Sequence, residues 1–570
     1  MGVVIPESAH VEIWNQRLAE VADAMGVVLR RAAVSPNIRE RADLSCALFD
    51  SNGRLVAQAP HVPVHLGSME RAVQAVITHV PLPPDAVGIV NDPFAGGTHL
   101  PDLTLVEAVW LREADELVCV GYVACRAHHA DVGGASPGSM PVGTSAAPGA
   151  VPHKAQLPPA VGPRYDEEGA QHVVYRTLTI DDEGVRIAPS LLDDSVIERI
   201  MAASRVPAER RADLAAQRAA LAHGRDAVRM IAMRDGRLGL RQGFELLSAY
   251  GERLMRATLA AIPDGVYPFA DSLDDDGAGR TDIGLRVVLS IDGDTARVDL
   301  EECDDESAGS LNAVRAVTEA AVAYVFRLLL PPGAPTCSAL LAPVTVETRP
   351  GSICDAQPPC AVSAGNVETS QRLVDLLLGA LHLACPAKIP AASAGTMSNL
   401  LLGDDSSAYY ETIGGGAGGG PTRAGASSIQ THMTNTRNTP IEILENVVPA
   451  RVVTYAVRRG SGGGGTQAGG DGIMRELELL APLTVTLVGE RRRRPPYGLS
   501  GGGPGRVGED TLVRDGKSHA LPGKVVLEAR AGDRLRIETP GGGGFGDARR
   551  AKVWAAVLSG QALTLKDLGG

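Results

Sequence analysis

The sequence predicts a mixed α/β protein of the α+β kind, built from several subdomains and closing in a glycine-rich, β-rich region. Three observations predict it. Short alternating apolar runs, which suit strands, are interspersed with stretches whose apolar residues recur every three or four positions, which suit helices. The 66 glycines concentrate after Gly414, while 38 prolines punctuate the short runs before and after it. No fixed-period repeat runs through the chain, which argues against a solenoid. With 570 residues at 44% hydrophobic content the chain can fill several cores, and 3% aromatics leaves that filling to Val, Leu and Ala.

Val11 to Val34 reads as an amphipathic helix, with Val11, Trp14, Leu18, Val21 and Met25 on one stripe. Ser45 to Gln58 reads as a hairpin about Asp50-Ser-Asn-Gly53. A short helix over Glu70–His79 follows, then strands over Val87–Val90, Leu103–Trp110 and Leu117–Cys125. Leu191 to Arg234 is Ala/Arg-rich and helical, broken near Pro207, and Leu240 to Ala261 continues it. Asp292-Gly293 turns a hairpin between Val287–Ile291 and Ala296–Leu300. Ala313–Leu330 and Val367–Leu383 are apolar helices, the second suited to capping by Asn366 with Glu368 in its first turn. Leu483–Val488 and Val525–Ile537 alternate as strands do. The chain thus divides into an N-terminal α/β region (1–190), a helical region (191–265), an α/β region (266–413) and the glycine-rich remainder (414–570).

Charge and cysteines exclude several classes. A formal charge of −13 offers no basic face for nucleic acid. The eight cysteines form no CxxC pair, which reads as reduced thiols rather than a disulfide scaffold or zinc ribbon. Met1 to Glu12 lacks the basic and apolar segments of a signal peptide, and no apolar run approaches the ~20 residues of a membrane span. The expected location is the cytoplasm. No P-loop is present: Gly516-Lys-Ser518 has the ending, but Thr511 stands where the first glycine belongs. Gly498-Leu-Ser500-Gly-Gly502 matches a nucleophile-elbow pattern by letter, but within a glycine loop. The run Arg491–Arg494 reads as a solvated strand end.

The chemistry concentrates between Asn91 and Gly138. Asn91-Asp-Pro-Phe-Ala-Gly-Gly-Thr-His99-Leu-Pro-Asp102 is followed, one strand later, by Arg126-Ala-His128-His129-Ala-Asp131. Imidazoles and carboxylates on glycine-bearing loops suit a divalent metal, which takes three or four such ligands and leaves a position open. Neighbours in extended chain point apart, so one of His128 and His129 binds and the other is free for acid/base work. Glu40 and Asp43 are further carboxylate candidates, and His61 and His65 further imidazoles. Arg372 and Arg437, in polar stretches, are candidates to grip a carboxylate or phosphate.

These segments, with Ile38–Asp50, His61–Met69, Gly365–Arg372, Gly395–Ser398, His432–Glu445 and Thr539–Gly544, run in order along nearly the whole chain and resemble the hydantoinase B/oxoprolinase family. The resemblance implies a hydantoinase B-like fold. It also implies a B-type subunit of an ATP-dependent hydantoinase, 5-oxoprolinase or lactamase (EC 3.5.2-type), active with a hydantoinase A-like ATPase in a hetero-oligomer. The partner phosphorylates the carbonyl oxygen of a small cyclic amide, using ATP and Mg. Carried onto this sequence, the family's metal, Mn or Zn, falls on Glu40, His99, Asp102 and either His128 or His129. With His128 taken as the ligand, His129 and Asp131 become the acid/base groups. The same family includes subunits of acetone and acetophenone carboxylases, so ATP-dependent ketone carboxylation is the alternative activity.

Overall fold

A computed structural model describes residues 7–59, 61–143 and 177–548. The leader reading of Met1–Glu12 and the outer parts of regions 1–190 and 414–570 lie partly outside these residues.

Helix α1 (Glu7–Ala32) is followed by the one-turn α2 (Pro36–Arg39). The first sheet contains β1 (Leu44–Phe49), β2 (Leu55–Gln58), β3 (Val87–Val90), β4 (Asp102–Glu113), β5 (Glu116–His128) and β6 (Ser190–Leu191), in the order β2-β1-β5-β4-β3-β6. Its neighbours pair antiparallel throughout. Helix α3 (Ser68–His79) buries Met69, Ala72, Val73 and Val76 on one face of this sheet. The other face is covered by α1 and by α5 (Pro207–Leu259), which follows α4 (Asp194–Ala203). The α1 stripe is as expected, since Val11, Leu18, Val21, Met25 and Leu29 are all buried. The expected break in α5 falls at Gly236, whose φ of 76° and ψ of 157° interrupt an otherwise continuous helix.

The second sheet, β10-β9-β8-β7, holds β7 (Gly265–Asp275), β8 (Thr281–Asp292), β9 (Thr295–Asp299) and β10 (Val344–Glu347). Against it pack α6 (Arg315–Leu328) and α7 (Ser370–Ala384). α7 is apolar all round and buried all round, from Leu373 to Leu381. Asn366 does not cap it. The helical path begins earlier, through a π-turn at Gly365–Thr369. The free N–H groups of Val362 and Ser363 donate instead to Glu183 Oε1, at 2.8 and 2.7 Å. A capping group 180 residues away leaves no local signal.

The third sheet, β12-β11-β15-β18, contains β11 (Asn399–Asp404), β12 (Ser407–Thr412), β15 (Leu483–Val488) and β18 (Lys524–Ala529). The fourth, β13-β14-β19-β16-β17, contains β13 (Ala450–Arg458), β14 (Gly472–Leu479), β16 (Glu509–Arg514), β17 (Lys517–Leu521) and β19 (Arg534–Glu538). α8 (Ile441–Val447) leads into β13, and the two sheets share one apolar core. Gly516-Lys-Ser518 is the turn of the β16–β17 hairpin.

The densest glycine clusters form neither simple turns nor regular ladders. Segments 416–419, 462–465, 469–470, 502–505 and 541–544 lie side by side, joined by backbone bonds such as Gly419 N to Gly543 O and Gly544 N to Gly503 O, both 2.8 Å. They pack backbone on backbone. A Cβ on Gly416 would stand 1.9 Å from the Gly470 carbonyl oxygen, which no side chain tolerates.

Arg491 and Arg492 are not solvated. Arg491 is 1% exposed and sits between Asp271 (2.9 Å) and Asp375 (3.0 Å), while Arg492 pairs with Asp510. Only Arg493 and Arg494 reach the surface, where both meet Asp282. All eight cysteines are free. Among the described residues no helix is long and apolar enough to cross a membrane.

Candidate functional site

The sheet register builds the site. Asp102 opens β4, His128 closes β5, and the two residues pair directly across the ladder. β1 lies on the other side of β5, and the His128 N–H donates to the carbonyl of Asp43, the residue just before β1 (3.1 Å). Asp43, His128 and Asp102 therefore leave one end of three adjacent strands. His99 joins them through a tight turn, closed by Asp102 N to His99 O at 3.1 Å. His65 arrives on the 3₁₀ turn Pro63–His65, its Nδ1 fixed at 2.9 Å by Ser45 Oγ.

The Asp102 carboxylate is the centre of this group. His65 Nε2 and His99 Nε2 stand 3.4 and 3.3 Å from its Oδ2, and Thr98 donates its hydroxyl to the same oxygen. The His99 and His128 rings meet edge to face at 4.8 Å. His65, His99, Asp102 and His128 are each at most 3% exposed, and Asp43 is 6%.

Burial governs the protonation states. It opposes ionisation of Asp102, but His99 and His65 outweigh it and hold the carboxyl well below its usual range. Burial pushes Asp43 up to about 6, against Arg41 and with Asp102. Burial, then His99, pulls His128 well below 6.5, so its imidazole is neutral and competent as a metal ligand.

Several polar atoms here have no hydrogen-bond partner: both nitrogens of His99, Oδ1 of Asp102 and Nε2 of His128. His99 Nε2 is within ion-pair reach of Asp102 but off the line of a hydrogen bond. Buried unpartnered donors and acceptors carry a free-energy cost that a ligand removes. Mixed imidazole and carboxylate donors suit Mn or Zn. Among the described residues, however, no three His, Cys, Asp or Glu side chains already form a group able to hold an ion. The donor chemistry fits a metal, and the donors have yet to converge.

Other candidates lie elsewhere. Glu40 ends the α2 turn, where it is partly exposed and 3.5 Å from Arg39. His61 accepts from the Cys46 N–H and packs against Gly26 of α1. His129 points away from His128, as neighbours in extended chain do. Its Nε2 lies 2.9 Å from Gln217 Oε1 on α5, its Nδ1 has no partner, and burial with Arg210 nearby lowers it to about 4. Asp131 holds its own loop together. Its carboxylate accepts from the backbone N–H groups of Gly133, Gly138 and Arg205, and pairs with the Arg205 guanidinium at 2.9 Å. Arg372 is buried between Glu490 (2.8 Å) and Asp271 (3.3 Å), which occupies it internally, while Arg437 is exposed.

The comparisons agree with this architecture. The model of the Hydantoinase B/oxoprolinase family matches residues 7–147 and 169–548. The chain belongs to that family. It is 37% identical to 5-oxoprolinase 1 of Arabidopsis thaliana over 95% of its own length and 42% of that protein's. It is 34% identical to the 5-oxoprolinase of Saccharomyces cerevisiae, covering 94% of its own length and 41% of the other. The chain thus spans about two-fifths of the oxoprolinases it matches. A Pseudomonas protein, whose name marks it as a candidate B-type subunit of a D-/L-hydantoinase, is 27% identical with 94% and 89% covered. The fold is also that of an ATP-dependent caprolactamase from Pseudomonas jessenii (TM-score 0.82, 24% identity, 98% and 94% covered). It is shared too with acetone carboxylase (TM-score 0.81, 16% identity, 98% and 79% covered).

Two groups at the site escaped the reading of motifs. Asn37 Nδ2 donates to the His128 carbonyl and lies 2.8 Å from its Nδ1, and Tyr410 of β12 stacks on its ring. Neither belongs to a metal-type pattern, and Tyr410 is remote in sequence from the histidine it covers.

Proposed function

We propose that this hydantoinase B family chain is the B-type subunit of an ATP-dependent amidohydrolase. It would open a small cyclic amide (a hydantoin, 5-oxoproline or a lactam) after an A-type ATPase subunit phosphorylates the carbonyl oxygen. One observation carries the reading: three imidazoles around a buried, ionised Asp102, with unpartnered donor atoms, in a relative of 5-oxoprolinases. The need for a partner is supported by length. The oxoprolinase relatives are more than twice as long, and this sequence has no P-loop of its own.

His99, Asp102 and His128 are the residues that would hold the ion, with Asp43 and His65 beside them. A divalent cation there supplies Lewis acidity, which makes a water proton easier to lose near neutral pH. Asp102 provides the negative charge that retains the ion. His129, uncharged at neutral pH and unpartnered at Nδ1, accepts the proton of the attacking water. Asp131, with its carboxylate already engaged, keeps the histidine-bearing loop in place. Overall one cyclic amide, one ATP and two waters give the ring-opened acid, ADP and phosphate. The carbon–nitrogen bond breaks and the nitrogen takes a proton.

The test is ATP-dependent ring opening by the chain co-purified with an A-type ATPase. Hydantoin, 5-oxoproline and caprolactam are offered with and without bicarbonate and chelator. Chelator-sensitive hydrolysis without bicarbonate is expected. ATP turnover that needs bicarbonate and a ketone would replace this reading with carboxylation.

A further inference from the structure

His128 is held on three sides. Arg41 Nη1 donates to Asn37 Oδ1 at 2.6 Å, which turns the Asn37 amide nitrogen toward the His128 carbonyl and Nδ1. His99 meets one edge of the ring. The face is covered by Tyr410, nearly parallel to it, with centroids 4.7 Å apart and planes 12° apart. The Arg41 guanidinium carbon stands 4.7 Å from the same tyrosine ring.

What fixes Tyr410 comes from elsewhere in the chain. Its hydroxyl is 2.9 Å from Asn399 Oδ1 on β11. Asn399 has no choice of orientation. Its amide nitrogen faces two pure acceptors, the Val488 carbonyl (2.8 Å) and Glu368 Oε1 (2.7 Å), so its oxygen must face the phenol and the phenol must donate. Glu368 Oε1 also accepts the Met397 N–H at 3.1 Å, which ties the carboxyl to the loop before β11. Tyr410, Asn399 and Glu368 are 3%, 1% and 0% exposed, so water does not compete for these bonds. Glu368 sits in the π-turn that opens α7, a helix irregularity frequent at functional sites.

We propose that Glu368, Asn399 and Tyr410 form a positioning relay that sets the plane of the His128 imidazole for metal binding. The inference rests on reading the His/Asp cluster as a metal site. It adds residues from the third sheet and the α7 entrance, none of which touches the cluster's donor atoms. A metal ligand turned from its productive plane loses affinity, and partners that orient such ligands typically govern affinity by ~10–100-fold. Tyr410→Phe keeps the stacked ring and removes only its tether. Glu368→Leu removes the anchor of the relay. Glu368→Gln retains an acceptor oxygen for Asn399 and Met397.

The experiment is a Mn²⁺ titration of the full-length chain, followed by calorimetry, with thermal unfolding of each metal-free variant measured alongside. Tyr410→Phe and Glu368→Leu are expected to weaken Mn²⁺ binding by ~10–100-fold, and Glu368→Gln to recover most of it. Mn²⁺ binding by Tyr410→Phe equal to that of the unaltered chain would overturn the relay alone. So would a loss in Glu368→Leu that Glu368→Gln fails to recover. Absence of Mn²⁺ binding by the unaltered, folded chain would instead overturn the metal reading and the relay with it.

Discussion

Replacing Asp43 by asparagine should make the metal-free protein more stable. Burial is the main cause that raises this carboxyl from 3.8 to about 6, with Arg41 opposing and Asp102 adding to it. Between those values the folded protein keeps a proton that the unfolded chain gives up. Stability therefore falls as pH rises through that window and is level above it. At ~1.36 kcal/mol per pH unit, the cost of the buried charge is about 3 kcal/mol at neutral pH. The substituted amide carries no charge at any pH, and the backbone bond from the N–H of this position to Asn37 O is kept. In chelator, urea unfolding of Asp43→Asn at about pH 7.5 should show up to about 3 kcal/mol more stability than the parent, vanishing near about pH 3.5. Added Mn²⁺ should reverse the order. A ligand at ~100 times its Kd stabilises the parent by ~2.7 kcal/mol, and the variant, lacking the carboxylate, should gain less. A variant less stable than its parent in chelator at neutral pH, or a difference that does not change with pH, would refute this account of Asp43.

The loop held by Asp131 predicts a structural phenotype. Asp131→Ala leaves the buried Arg205 pair broken and should lower stability by ~3–5 kcal/mol in urea unfolding, with metal affinity and turnover falling only as the fold does. His129→Gln should do the opposite, keeping Mn²⁺ content by elemental analysis while ring opening falls ~10²–10⁴-fold in the assembled enzyme. Gly416→Ala, whose Cβ meets a carbonyl oxygen at 1.9 Å, should destabilise by at least ~1–3 kcal/mol, read as a lower unfolding midpoint.

Local periodicity carried much of this molecule. The α1 stripe, the β1–β2 hairpin, the β8–β9 hairpin and β15 all lie where their apolar patterns put them, because each buries one regular face. What depended on distant partners was not legible. Arg491 looked solvent-bound until Asp271 and Asp375 closed over it, and Asn366 looked like a cap until Glu183 took that role. At the site, spacing pointed to His99, Asp102 and His128 as ligands, and the strand register brings them together. Between Glu40 and Asp43, near neighbours in the chain, spacing has no power to choose. The single turn of α2 sends the first toward solvent, and the start of β1 sends the second inward. Tyr410 had no motif at all, since only the packing of the third sheet against the first brings it to His128.

The strand-end origin of the site divides its ligands by stiffness. Asp43, His128 and Asp102 leave neighbouring strands whose backbones are spaced ~4.8 Å apart and locked by ladder bonds, so none can approach another without breaking the sheet. His99 and His65 stand on short turns instead, each fastened by few contacts. When an ion draws the donors together, the turns must travel and the sheet must not. The two turns thus act as the jaws of the site, the sheet edge as its anvil. Changes to loop residues such as Gly96 and Gly97 should alter how fast metal enters and leaves, while changes within the strands alter whether a site exists.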